Sequence, residues 1–191
     1  MEKIKVAVIG AGGKMGPDIC VLAKKASVLG GSDRKIYAVS RFSDAAAAER
    51  LRSHGVTVIA ADLMDANALQ ALPDCKNIIY MAGRKFGTNG TEYLTWGMNA
   101  WLPCMVAQRF RHSDIVVFSS GNLYPKVSTA SGGATERVRT VPVGEYCMSC
   151  LGRERAFEYA ARTMGTRIAI MRLNYAVDLR YGVLHDIAQT I

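Results

Sequence analysis

The apolar run from Val6 to Ile9 stops at Gly10, and glycines recur at Gly12, Gly13 and Gly16 before a helical pattern begins. A strand that runs into such a loop and then a helix must turn tightly and let its backbone approach whatever it faces. The helix then points free N–H groups and its positive dipole end back at the loop, which suits a pyrophosphate. Gly10, Gly12, Gly13, Lys14, Met15 and Gly16 are therefore candidate cofactor-binding residues. A single glycine fingerprint is weakly specific, so the rest of the chain has to carry the same architecture.

Apolar runs of strand length alternate with longer amphipathic segments. The pattern predicts strands over 3–9, 35–40, 56–60, 76–81, 114–118 and 167–173, and helices over 13–28, 43–53, 65–71, 92–111 and 144–164. The strands are near-continuous Val/Ile/Ala runs, as strands covered on both faces are. Strands separated by helices imply an α/β fold, a doubly wound, Rossmann-type parallel sheet with helices on both faces. The 191 residues, 50% of them hydrophobic, suffice for one such domain.

Composition narrows the function classes. No apolar stretch approaches the roughly 20 residues of a membrane span. Lys3 and Lys5 interrupt the N-terminal apolar residues, so no signal peptide is read. A soluble, cytoplasmic protein is expected, with no membrane partner. Five cysteines, an odd number, argue against a disulfide scaffold. His54, His112 and His185 are isolated and no metal site is expected. The net charge of +8 is spread along the chain. Its one dense cluster, Arg153, Arg155 and Arg162 with Glu154 and Glu158 between them, reads as a solvated helix face. No nucleic-acid partner is expected.

The strand over 35–40 runs into Arg41. An NAD site usually has an acidic residue there for the ribose, whereas a basic one suits the 2′-phosphate of NADP. Arg41 thus favours NADP, with NAD still open; otherwise it is an exposed arginine at a helix entry. Asp62 is a candidate acceptor for the adenine amino group, with Leu63 beside it, or a cap for the helix over 65–71. Ala82 and Gly83 end the fourth strand, where small residues let a ribose or nicotinamide pass; Gly83 otherwise serves the turn. Loops over 83–91 and 121–142 follow strands that end at the same carboxyl edge, where ligands bind in open α/β sheets.

The fifth strand and its exit read Phe118-Ser119-Ser120-Gly121-Asn122-Leu123-Tyr124-Pro125, followed by Glu145-Tyr146-Cys147-Met148-Ser149-Cys150 and Arg172-Leu173-Asn174-Tyr175. With Gly10, Gly13 and Gly16 these segments resemble, in order and over nearly the whole chain, the extended short-chain dehydrogenase/reductase family, in its NAD(P)-dependent epimerase/dehydratase branch. The resemblance implies that Tyr146 is the general acid/base and that Ser120, with Ser119 as fallback, polarises the substrate oxygen. It implies an asparagine, Asn99, in a supporting relay. It also implies a small polar substrate such as a nucleotide sugar, and a homodimer through the helices over 92–111 and 144–164. The family places a lysine four residues after the tyrosine, to bind the nicotinamide ribose and lower the phenol pKa. Here that residue is Cys150, and a neutral thiol supplies no positive charge. Arg153, seven residues after Tyr146 on the same helix face, is a candidate for the missing charge; alternatively Arg153 and Glu154 are ordinary surface residues. Cys147 and Cys150 also form a Cys-x-x-Cys, a redox motif only where it is exposed and acidic.

Two functions therefore stand side by side. One is an NADP-preferring oxidoreductase, epimerase or dehydratase. The other is a non-catalytic NAD(P)-binding relative that lacks the active-site lysine. The family's substrate lobe is expected to be largely absent from these residues: 1–180 read as the dinucleotide-binding domain, and 181–191 as the start of a truncated substrate-lobe segment.

Overall fold

The computed structural model describes residues 4–85, 89–175, 177–178 and 180–190. Lys3, Gly87 and Ile191, which enter the sequence readings above, lie outside them. Six strands, β1 (Lys5–Ile9), β2 (Lys35–Ser40), β3 (Thr57–Ala60), β4 (Asn77–Tyr80), β5 (Asp114–Ser120) and β6 (Arg167–Leu173), form one sheet. All neighbours are parallel, in the order β3-β2-β1-β4-β5-β6. The order reverses between β1 and β4, which opens a crevice at the carboxyl ends of the strands. Every expected strand is present, and the sheet is the doubly wound one that the alternation implies.

The side-chain period of two sends Val6 and Val8 to one face of β1, and Ala7 and Ile9 to the other. Val6, Val8, Ile36 and Ala38 share a core with Cys20 and Val21 of α1 (Gly16–Leu29) and Leu51 of α2 (Ala45–Ser53). Ile9, Val39, Ile78, Tyr80, Ile115 and Val117 face the larger core, with Leu69 of α3 (Ala66–Gln70), Val106 of α5 (Leu102–Arg109) and Phe157 of α6 (Gly144–Met164). Tyr80 meets Phe157 edge-on at 5.1 Å and ties β4 to α6. α1 and α2 cover only the β1–β3 end of their face, and Ala169 and Met171 on β6 stay exposed.

Where boundaries differ from expectation, local chemistry explains it. The first helix begins at Gly16 rather than residue 13, because the loop closes on itself through Gly13 N–H to Gly10 O (3.2 Å) and Gly16 N–H to Gly13 O (3.3 Å). Asp44 lies outside α2 as its N-cap, accepting from the Ala46 N–H at 2.9 Å. The helix expected over 92–111 is α4 (Glu92–Trp96), a π-helical turn at Gly97–Trp101, and α5. Pro103 sits four residues after Asn99, has no N–H for its carbonyl, and crowds it, which widens the turn. The expected loop over 121–142 holds two 3₁₀ turns, Gly121–Leu123 and Thr129–Ser131, and Val141 N–H returns to Leu123 O at 2.8 Å. A short helix, α7 (Val183–Ala188), follows β6.

The glycine loop is held by close backbone approach. Gly10 has φ +89°, and a Cβ there would lie 2.5 Å from the Ala82 nitrogen. A Cβ on Gly16 would lie 2.4 Å from the Ala11 carbonyl oxygen. At Gly13 it would meet only Gly10 O, at 3.6 Å. Gly10→Ala is accordingly expected to cost about 1–3 kcal/mol in urea unfolding, whereas Gly13→Ala stays within about 0.5 kcal/mol of the parent. Equal losses in the two variants would contradict this account.

Candidate functional site

The crevice between β1 and β4 holds a cleft of about 240 Å³. Its walls take in Gly10, Gly12, Gly13, Arg41, Asp62, Leu63, Ala82 and Gly83 of the sequence-selected residues. Lys14, Met15 and Gly16 are not among its lining residues: Met15 precedes α1, and the exposed Lys14 carries its Nζ 5.5 Å from the centre of the Tyr181 ring. Gly12 and Gly13 are exposed, so bare backbone faces the cleft there. Arg41 is exposed at its rim, and Phe42 beside it adopts φ +49°, which turns the loop after β2. Asp62 is not the cap of α3: that is Asp65, which accepts from Asn67 N–H at 2.9 Å. Asp62 instead accepts from Met64 N–H at 3.0 Å in a local turn on the cleft wall. Ser40, Phe42, Ser43, Ala61, Met81 and Met98 also line the cleft without having been singled out in the sequence; all but Met98 directly adjoin selected cleft residues or one another, and no spacing marks Met98.

The second half of the site lies where β5 ends and α6 begins. Ser120 closes β5, and its Oγ accepts from Asn122 N–H at 3.2 Å, starting the 3₁₀ turn. Tyr146, in the first turn of α6, hydrogen-bonds to Ser120 and to Cys150. Burial, above all, pushes its phenol above the usual value; the Cys150 thiol adds to this, while Ser120 and the Arg153 charge pull the other way. Cys150 is completely buried, and burial raises its own pKa. Neither is a property of a reactive redox pair. The Ser119 Oγ is buried without a partner among the described residues.

Arg153 and Glu154 are not surface residues, and this part of the basic cluster is not a solvated face. Arg153 is 7% exposed and Glu154 1%. Arg153 donates from Nη1 to Phe118 O and from Nη2 to Asn99 Oδ1, both at 2.9 Å. Asn99, in the π turn, is fully engaged. Its Oδ1 also accepts from Arg84 N–H at 2.7 Å, and its Nδ2 donates to Arg84 O and Ser149 Oγ, each at 3.0 Å. Ser149 in turn donates to Tyr146 O at 2.8 Å. Gly83 does more than turn the chain: a Cβ there would lie 2.3 Å from Arg153 Nη2 and 3.0 Å from Asn99 Oδ1. The cofactor-side wall and the Tyr146 helix thus meet at one backbone position.

Glu154 forms a two-pronged pair with Arg172, Nε to Oε1 at 2.9 Å and Nη2 to Oε2 at 2.8 Å, while Arg172 Nη1 donates to the Tyr124 hydroxyl at 2.8 Å. The pair holds Arg172 firmly protonated. It joins α6, β6 and the exit of β5, three segments that the sequence reading selected separately. Beside it opens a groove of about 860 Å³, lined in part by Asn122, Tyr124, Lys126, Arg172, Asn174 and Tyr175. No group of metal-ligating side chains occurs among the described residues, and no described helix is long and apolar enough to cross a membrane.

The family model described as "NAD dependent epimerase/dehydratase family" matches residues 6–177. By sequence, no curated protein matches the chain. The fold is shared with UDP-glucuronic acid 4-epimerase from Bacillus cereus, solved with UDP-glucuronic acid and NAD. That structure has 18% identity and TM-score 0.73, over 88% of this chain and 56% of that one. It is also shared with a dTDP-glucose 4,6-dehydratase from Streptomyces venezuelae solved with NAD (17% identity, TM-score 0.77, 88% and 55%). A UDP-Glc/GlcNAc 4-epimerase from Campylobacter jejuni is similar too (18%, TM-score 0.73, 88% and 53%). The chain spans little more than half the length of each.

Since Glu154 is enclosed and Arg172 is its partner, Arg172→Met is expected to cost about 3–5 kcal/mol in chemical unfolding, the penalty for stranding a buried charge. A loss below about 1 kcal/mol, as for an exposed pair, would show that the pair does not hold the site together.

Proposed function

The chain belongs to the NAD dependent epimerase/dehydratase family, and we propose that it moves a hydride between a nicotinamide dinucleotide and a small polar substrate of the nucleotide-sugar class. The observation that carries this reading is the hydrogen-bonded Ser120–Tyr146 pair, set at the carboxyl edge of the sheet that also bears the glycine cleft.

The cleft suits the cofactor. The bare backbone at Gly12 and Gly13, just before the start of α1, is a place for the pyrophosphate. Arg41 at the rim offers a charge to a 2′-phosphate, so NADP is the preferred form. Asp62 keeps acceptor capacity for the adenine amino group, and Ala82 and Gly83 leave room toward the nicotinamide. When bound, the cofactor's nicotinamide ring accepts and returns the hydride. Tyr146 takes the proton of the reacting hydroxyl and gives it back, and Ser120 holds the same oxygen. The larger groove beside Tyr124 and Asn174 is the place for the rest of the substrate. Exposed Tyr93, Trp101 and Tyr159 on α4, the π turn and α6 support pairing of these helices between two copies.

A second reading is a non-catalytic NAD(P)-binding relative. Cys150 favours it, because its thiol stays neutral where the family pattern has an ammonium group. Calorimetry and turnover separate the two. NADP is expected to bind more tightly than NAD, and Arg41→Ala to weaken NADP by about tenfold while leaving NAD nearly unchanged. A panel of nucleotide sugars is expected to show turnover that falls at least roughly a hundredfold in Tyr146→Phe. Binding without turnover in parent and variant alike selects the second reading, and absence of nucleotide binding removes both.

A further inference from the structure

We infer that the guanidinium of Arg153 is the fixed positive charge of this site, a positioning residue that stands in, from one turn further along α6, for the lysine that the Tyr146–Cys150 spacing lacks. This rests on the cofactor reading above and adds a residue to it.

The first argument is reach. Residues 146, 150 and 153 share one face of α6, and long helical side chains lean toward the N-terminus. Arg153 uses that lean: Nη1 ends on the Phe118 carbonyl, two residues before Ser120, and Nη2 on Asn99, which is tied through Ser149 to the Tyr146 backbone. The second argument is space. A short thiol at 150 and no side chain at Gly83 admit the guanidinium, and its Nη2 packs against the backbone of a residue that lines the cofactor cleft.

The third argument is charge. A buried cation is costly unless paired, yet among the described residues no carboxylate pairs with Arg153. The adjacent Glu154 is committed to Arg172. Arg153 has only two neutral oxygen acceptors and the face of the Tyr80 ring at 5.9 Å, and its Nε has no partner among the described residues. Retaining such a charge beside a candidate acid/base is what a site needs and what a merely structural staple does not. The ionisable groups around it are Tyr146, Cys150, Cys147 and Glu154 on α6 and Tyr80 on β4, with Cys104 of α5 beyond Tyr80. Its field lowers the pKa of Tyr146, Cys150 and Tyr80 alike, against the stronger effect of burial. Of these, only Tyr146 is bonded to Ser120.

The test reads the phenol itself. In protein labelled at tyrosine Cζ, the signal of Tyr146 is the one missing from Tyr146→Phe, and its titration is followed with pH. Removing a nearby positive charge destabilises the phenolate, so Arg153→Gln is expected to raise the midpoint by roughly 1 pH unit, the low end of the effect of a neighbouring opposite charge. In Cys150→Lys/Arg153→Gln the midpoint returns toward the parent. NADP affinity falls by about tenfold in the single variant and recovers in the double. An unmoved Tyr146 midpoint in folded Arg153→Gln overturns the inference. If Arg153→Gln does not fold, Cys150→Lys alone decides. Where Arg153 already supplies the charge, the added lysine improves NADP binding by less than roughly threefold, and a gain of about tenfold or more overturns the inference. If no variant and no parent binds a nicotinamide nucleotide, the cofactor reading fails, while the Tyr146 titration still decides on Arg153.

Discussion

The enclosed pairing of Glu154 with Arg172 is the contact on which the geometry of the site depends. A carboxylate almost without exposure is tolerable only because both its oxygens meet the guanidinium fork. The pair fixes the rotation of α6 about its own axis relative to β6, and Arg172 reaches on to Tyr124 at the exit of β5. Once that rotation is set, Arg153 must point into the sheet side, Cys150 lies under Tyr146, and the Tyr146 hydroxyl faces Ser120. A helix free to turn by one residue, about 100°, would carry Tyr146 away from the end of β5.

Two departures from regular structure serve the same network. The π turn opposite Pro103 presents Asn99 inward, where it makes four hydrogen bonds to Arg84, Ser149 and Arg153. Gly83 removes the side chain that would otherwise collide with Arg153 and Asn99. Each irregularity alone would be a local cost. Together they bring the cleft wall, the bent α4–α5 helix and α6 into one polar junction between the two halves of the site.

Much of this was legible in the chain. The strands follow from short Val/Ile runs between helical patterns, because strands sandwiched between helices need apolar side chains on both faces. Gly10 and Gly16 were legible because close backbone approach leaves no room for a side chain, and Gly12 and Gly13 were legible from their spacing between strand and helix. Boundaries were less so: Asp44 and Asp65 became caps because their carboxylates bond the backbone two residues on. Arg153 and Glu154 were the main misreading. A charge run with alternating signs on a helix is ordinarily solvated, and nothing local to 153–158 distinguishes this one. The partners that bury it lie at Asn99, Phe118 and Arg172, on three other segments.

The sequence by itself determined the parallel α/β architecture, the glycine cleft, and the absence of lysine at position 150, because these depend on periodicity, on missing side chains and on identity at one position. Only the tertiary structure decided which charges are enclosed, where Asn99 points, and that a guanidinium lies against Gly83. Burial and pairing belong to the meeting of distant segments, and a residue's neighbours along the chain do not specify its neighbours in space.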